Sequence, residues 1–265
     1  MDAADGSPGR ADTDWDTRAR DWAEAQEQTI LPLSLAVLDE LGPWPGQSLL
    51  DLGCGAGQFA RLASDRGALV HGLDASAALI DIARTRNSMG RFQVGDMEHL
   101  PFPEAEFSVV TAFNSLHFAR SPARAVAEAT RVTRPGGRVV AATWGPLTEC
   151  DAMAYFLDLG GLLPATPLDA VPAPDLSDPD TLRVMLSGDG LAPSPWRTVP
   201  CQWEYDDLET ALRGLLSTGP AARAISHSGQ KRVASTITES IAPYRRTDGS
   251  YILHNTCFYV TVTRV

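Results

Sequence analysis

Apolar positions along this chain follow two periods. Short unbroken runs alternate with segments in which apolar residues recur every three or four positions. Leu49, Leu50 and Leu52 make the first run, too short for a helix and suited to a buried parallel strand. Phe59, Leu62 and Ala63 follow at helical spacing, and Gly67 is placed to end that helix. The pattern then predicts a strand over 68–74 and a helix over 76–87 with Leu79, Ile82 and Ala83 inward. Strands over 91–97 and 107–114 come next. Ser121-Pro122, a cap followed by proline at the first helical position, opens a helix to about Thr133. A turn at 134–137 leads to a strand over 138–144. Five strands alternating with four helices predict an α/β fold with a doubly wound, Rossmann-like parallel sheet.

The flanks carry weaker patterns. Residues 1–14 are rich in Asp, Gly, Ala and Pro and read as a frayed tail. Residues 15–27 read as a helix with Trp15, Ala19 and Trp22 near one face; Pro32 starts a second helix, which runs to the turn at 42–46. Beyond the fifth strand, 151–163 is helical, 164–179 a long loop and 181–186 a short helix. Residues 196–205 alternate as a strand. Helices follow over 208–216, 221–225 and 231–244, and 250–265 is a β-rich end.

Composition narrows the function. The 265 residues are 44% hydrophobic and 21% charged, an ordinary globular balance. The formal net charge of −11 disfavours binding to nucleic acid or to an anionic membrane, both of which need a basic surface. Cys54, Cys150, Cys201 and Cys257 are scattered without a C-x-x-C or a histidine cluster, so reduced thiols and no metal are expected. No apolar run is long enough to span a bilayer and no basic-then-apolar leader is present, which suggests a cytoplasmic protein.

Candidate chemistry concentrates after the first strand, in Asp51-x-Gly53-x-Gly55-x-Gly57. Strand, glycine turn and helix bring backbone N–H groups and a helix N-terminus close to a ligand. Gln58 stands where a dinucleotide-binding turn has its third glycine. The Asp51 charge would repel a pyrophosphate but not a cation. Cys54 is a small side chain within the turn. Asp74 ends the second strand, about twenty residues after Gly53, the separation expected of a ribose-binding acid; its bland role is to cap the following helix. The glycine motif resembles motif I of the class I S-adenosylmethionine (SAM) methyltransferases. Further landmarks follow in order: Gly95-Asp96-Met97, Leu100-Pro-Phe-Pro103 before Phe107, and Arg134-Pro-Gly-Gly137. Ser108 departs from the family pattern, which has Asp there. The resemblance covers 15–144 and is nearest the small-molecule, quinone-precursor (type 11) branch.

That resemblance implies SAM as cofactor, with S-adenosylhomocysteine as product. It implies a ribose contact at Asp74 with Ala75 beside it, an adenine contact at Asp96 with Met97 on the ring, and loop contacts at Asp51, Gly53, Cys54, Gly55, Gly57 and Gln58. Trp22 on a covering helix and Asn114 past the fourth strand complete the expected cofactor set. The plainer role of Asp96 is a loop Asp making an Asx turn. The family architecture implies a seven-stranded sheet with an antiparallel last strand, strand six near 196–205 and strand seven near 257–265. The expected divisions are a tail at 1–14, a SAM-binding core with leading lid helices at 15–145, helices, loop and strand six at 146–205, a helical cap at 206–245 and a final strand at 246–265. Methyl transfer by in-line displacement needs donor and acceptor held in line and a proton removed. His117 is the candidate base, against the plainer reading of a packed loop histidine. Trp15, Trp144 and Tyr155 are expected around a small, aromatic or apolar acceptor. The alternative is a SAM fold that keeps the cofactor structurally while catalysing a cyclisation or rearrangement. A dinucleotide oxidoreductase is opposed by Gln58 and Asp51, and a binding-only fold by the set Asp51, Asp74 and Asp96. Monomer and homodimer are both open.

Overall fold

The computed structural model describes residues 14–42, 44–164, 174–188 and 191–265; the expected tail lies almost wholly outside them. The five predicted strands form the body of the sheet: β1 (Ser48–Leu52), β2 (Leu69–Asp74), β3 (Arg91–Val94), β4 (Phe107–Phe113) and β5 (Thr133–Trp144). All are parallel, in the order β3-β2-β1-β4-β5. β4 is buried throughout and β1 at all but its first residue, which is why both read as unbroken apolar runs. Successive side chains point to opposite faces. Leu49, Val109 and Val140 face α1 (Leu31–Leu41), α2 (Gln58–Asp65) and α3 (Ala77–Arg86). Leu50, Val110 and Val139 face α4 (Pro122–Val132) on the other side.

The helix starts follow the sequence signals. Ser76 accepts from Leu79 N at 3.1 Å, so Ser76 and not Asp74 caps α3. Ser121 accepts from Arg124 N, with Pro122 first in α4. β5 opens at Thr133, earlier than the expected 138. Thr133 pairs with Phe107, the register then shifts, and Gly136 at φ 73° absorbs the irregularity. The 134–137 turn is thus part of the strand's entrance rather than a separate loop.

The far side of the sheet holds a difference from expectation. Beyond β5 come α5 (Ala152–Gly160), α6 (Pro179–Met185), β6 (Leu191–Pro193), β7 (Arg197–Pro200) and β8 (Trp203–Tyr205). They are followed by α7 (Leu208–Leu215), α8 (Gly219–Ser228), α9 (Gln230–Ile241), β9 (Tyr251–Leu253) and β10 (Thr256–Arg264). β10 is the antiparallel strand beside β5, and β6 and β7 share its outer edge, giving eight strands in the main sheet. The predicted strand over 196–205 therefore breaks after Pro200, and β8 pairs with β9 in a separate ribbon. Proline offers no N–H to a ladder, and the alternation of Trp203 and Tyr205 serves a different core. Those two side chains bury with Tyr155, Leu159, Leu215 and Ile237 among α5, α7, α8 and α9.

The segment leading into α1 is not one regular helix. A single α turn (Ala19–Asp21) passes into a π turn (Trp22–Gln26) and a 3₁₀ turn (Glu27–Ile30). Two carbonyls are engaged by side chains: Arg86 Nη2 donates to Ala23 O at 2.6 Å and Thr29 Oγ1 to Gln26 O at 2.7 Å. The segment also clasps the cap. Tyr205 Oη donates to Gln26 Oε1 at 2.7 Å, and Arg213 of α7 pairs with Asp21 and Glu24. Among the described residues no helix is long and apolar enough to cross a membrane.

Candidate active site

The glycine loop connects β1 to α2. Gly53, Gly55 and Gly57 all have positive φ, and Gly57 at 81° is the residue before α2. A Cβ on Gly53 would stand 2.4 Å from Ser115 Cβ, and one on Gly57 2.9 Å from Ala83 Cβ. The loop is a backbone surface because side chains do not fit there. Gly53 N and Cys54 N donate to Leu73 O at 2.7 and 3.1 Å, tying the loop to β2. The Cys54 thiol is buried beneath the loop, toward Gly72, and burial raises its pKa. Only its backbone is presented outward.

Three of the predicted acids sit at the C-terminal ends of successive strands, the edge where open α/β sheets bind ligands. Asp51 of β1 is buried and accepts from Thr111 Oγ1 of β4 at 2.7 Å. Burial, with lesser contributions from Glu27 and Asp74, pushes its pKa up to about 7, against the Thr111 hydrogen bond. Asp74 accepts from Gly55 N and from Ser76 N, each at 2.9 Å, so it shapes the loop and the start of α3 at once. Ala75 beside it is exposed. Asp96 follows β3, is exposed, and makes the Asx turn: Glu98 N donates to Oδ1 at 2.8 Å, and His99 Nδ1 lies 3.1 Å from Oδ2. Met97 is half-buried, and its methyl lies 3.7 Å from where a Gly53 Cβ would stand.

The leading segment lies over this loop. Trp22 Nε1 is buried without a hydrogen-bond partner, 3.5 Å from the position of a Cβ on Gly55. Gln58 Oε1 is buried and equally unpartnered. Asn114, just past β4, adopts the left-handed conformation at φ 49° and donates from its backbone N to Ala142 O. Its side-chain amide adjoins the Cys257 thiol, but neither amide atom makes a hydrogen bond of ordinary geometry. The sequence reading passed over Glu27. It is 4% exposed, ion-paired with Arg86, and raised to about 7 by burial against the lowering pull of that arginine. Nothing local marks it, since its burial comes from contacts with α2 and α3.

His117 sits in the 3₁₀ turn Leu116–Phe118, its ring 4.1 Å from that of Phe118. The residue is exposed to solvent, with protein crowded beside it. That crowding, with the Arg223 guanidinium of α8, lowers its pKa to about 4. Trp15 packs edge-on against Trp22 (4.8 Å) and Phe118 (5.4 Å) and against Gly219 of the cap, where a Cβ would stand 2.7 Å from the indole. Trp144, at the end of β5, meets Trp203 edge-on at 5.2 Å. Tyr155 departs from the expected acceptor contact. It is 1% exposed, with its hydroxyl 2.8 Å from Leu215 O and 2.6 Å from Thr218 Oγ1, so it holds the cap together and faces no cleft.

A parallel Rossmann-like sheet with a glycine loop, acids at consecutive strand ends and one antiparallel strand beside β5 defines a doubly wound α/β protein whose ligand edge is the carboxyl end of its strands. The chain belongs to a methyltransferase family: the family model described as a methyltransferase domain matches residues 50–141, and demethylmenaquinone methyltransferase of Tropheryma whipplei is 30% identical over 216 residues, covering 72% of this chain and 88% of that protein. Malonyl-[acyl-carrier protein] O-methyltransferase of Serratia marcescens is 37% identical over 99 residues, 37% of this chain and 39% of that protein. The chain spans less than half the length of the first curated relatives it matches, 39% and 48%. A solved Bacillus halodurans structure described as a methyltransferase shares the fold, with a TM-score of 0.57 at 17% identity over 87% of this chain and 98% of that one.

Proposed function

We propose that this chain transfers a methyl group from SAM to a small organic acceptor of aromatic or apolar character. The observation that carries the reading is the coincidence of two things at one sheet edge. The three acids Asp51, Asp74 and Asp96 stand at the edge that carries the glycine loop, and two buried polar atoms without partners, Trp22 Nε1 beside Gly55 and Gln58 Oε1 next to Gly57, lie along it. Such atoms are costly unless a polar ligand meets them, and an adenosyl amino acid carries the donors, acceptors and positive charge that fit this set. When bound, SAM supplies a methyl carbon already activated for displacement.

The chain's own residues then bind and orient. Asp74 accepts from the ribose hydroxyls with Ala75 alongside, Asp96 accepts from the adenine amino group, and Met97 packs on the base. Gly53, Cys54, Gly55 and Gly57 offer backbone, Asp51 balances positive charge, and Trp22 covers the site. His117, unprotonated near neutrality, takes the acceptor's proton. Trp15 and Trp144 form the apolar walls, and the cap over 206–245 selects the acceptor. Four free, buried thiols suit a reducing cytoplasm.

The test is calorimetric titration of the purified chain with SAM and with S-adenosylhomocysteine, then incubation with small aromatic acceptors and detection of S-adenosylhomocysteine. Saturable binding with product formation is expected. Absence of binding overturns the reading, and binding with turnover but no demethylated product moves the chain to the class that uses SAM structurally.

A further inference from the structure

Glu27 is a charged group packed hard against the glycine loop. Its Oε1 stands 3.5 Å from Gln58 N at the head of α2 and 3.2 Å from where a Cβ on Gly55 would lie. Arg86, the last residue of α3, closes on it as an ion pair and also donates to Ala23 O (2.6 Å) and Ala56 O (3.3 Å). One guanidinium thus fastens the leading segment to the loop. The Glu27 carboxylate interacts with Arg86 on α3 and with Asp51 on β1, which in turn interacts with Asp74 at the end of β2. Glu27, Asp51 and Asp74 thus form a chain of interacting carboxylates of which only Glu27 is paired with Arg86, and Glu27 and Asp51 are almost fully buried, where uncompensated negative charge is costly. Burial holds both Glu27 and Asp51 at about 7, so near neutrality each carries a proton part of the time.

We propose that Glu27 is a cofactor-binding residue: its carboxylate, held beside Gly55 and the head of α2, is the counter-charge for the α-ammonium group of the cofactor's amino-acid end. The inference rests on the methyl-donor reading above. A protonated Glu27 gives its proton to solvent as the cation arrives and leaves a carboxylate facing it. Asp51 contributes to the same release. Binding therefore tightens as pH rises through about 7 and weakens again once the cofactor's own α-ammonium, of ordinary pKa about 8, loses its proton.

The experiment is titration of the full chain with SAM at pH 7 in phosphate and in Tris, whose different ionisation enthalpies reveal the number of protons released. Wild type should release between about half a proton and one. Glu27→Gln should release clearly less and bind roughly tenfold more weakly, as loss of a charge-assisted contact dictates. Glu27→Asp, the second variant should Glu27→Gln fail to fold, keeps the titrating acid and should retain the release while binding more weakly. Equal release in wild type and Glu27→Gln, no release in wild type, or loss of release in Glu27→Asp at unchanged affinity overturns the proposal. Absence of SAM binding by wild type overturns the donor reading and this inference together, whereas binding without proton release overturns this inference alone.

Discussion

The Asp74 carboxylate accepts from Gly55 N and Ser76 N before any ligand contact is considered. Asp74→Ala therefore removes two hydrogen bonds as well as the proposed ribose contact. It should cost about 1–3 kcal/mol of stability and weaken SAM binding by at least roughly tenfold; a melt and a titration on the same sample separate the two losses. At His117 the separation is cleaner. Crowding by protein and the Arg223 charge keep its ring neutral down to about pH 4, so no rate change should appear near 6.5, where an ordinary histidine titrates. His117→Gln should lower kcat by about 10²–10⁴-fold, the usual worth of a positioned base, while the dissociation constant for SAM stays put. An unchanged kcat would make His117 a packing residue of the Leu116–Phe118 turn.

At the scale of elements, the β1–loop–α2 unit shows what a sequence can reveal. The run Leu49–Leu52 and the three glycines lie within nine consecutive residues, and their conformations are set by local sterics: Gly57 needs φ 81° and has Ala83 Cβ 2.9 Å from any added Cβ. Gly57→Ala should accordingly lower stability by about 1–3 kcal/mol, read as a fall in Tm, and should displace α3, which carries both Ala83 and Arg86. The same locality explains why the five parallel strands and the capped starts of α3 and α4 were legible from apolar runs and Ser-x-x signals. What escaped reading was long-range. The strand expected over 196–205 splits because Trp203 and Tyr205 find their core in the cap and not in the sheet. The leading helix loses regularity because Arg86, far along the chain, takes the Ala23 carbonyl. Glu27 carries no local mark for the same reason, and Tyr155 looked available because nothing nearby in sequence announces Leu215 and Thr218. Loosening the clasp tests how far this segment depends on the cap: Tyr205→Phe leaves Gln26 Oε1 buried without its donor and should cost about 1–3 kcal/mol, with an earlier thermal transition as the readout.

For the molecule as a whole, the buried acids set a pH dependence distinct from that of surface charge. The chain carries 33 acidic and 22 basic side chains, so the folded state repels itself increasingly as carboxylates ionise, an effect that salt screens. Asp51 and Glu27 add a contribution that salt screens far less. Their folded pKa values, about 7, lie above the ordinary 3.8 and 4.5. Between those limits the folded state binds protons more tightly than the unfolded chain, so the stability these acids contribute is present at low pH, declines as pH climbs through the window and is flat above about 7. Asp51→Asn isolates the Asp51 contribution, because the amide keeps an oxygen for Thr111 and never ionises. The variant should match wild type in Tm only at about pH 3.5, below the ordinary 3.8, should already exceed it at pH 5 and should exceed it by more at pH 8. The gap should persist in 0.5 M salt, where about 4–5 Å of screening length removes surface repulsion but not a buried term. A wild type that melts higher than Asp51→Asn at pH 8 would mean that the surrounding protein already compensates the Asp51 charge, and would leave no electrostatic demand for a cation at this sheet edge.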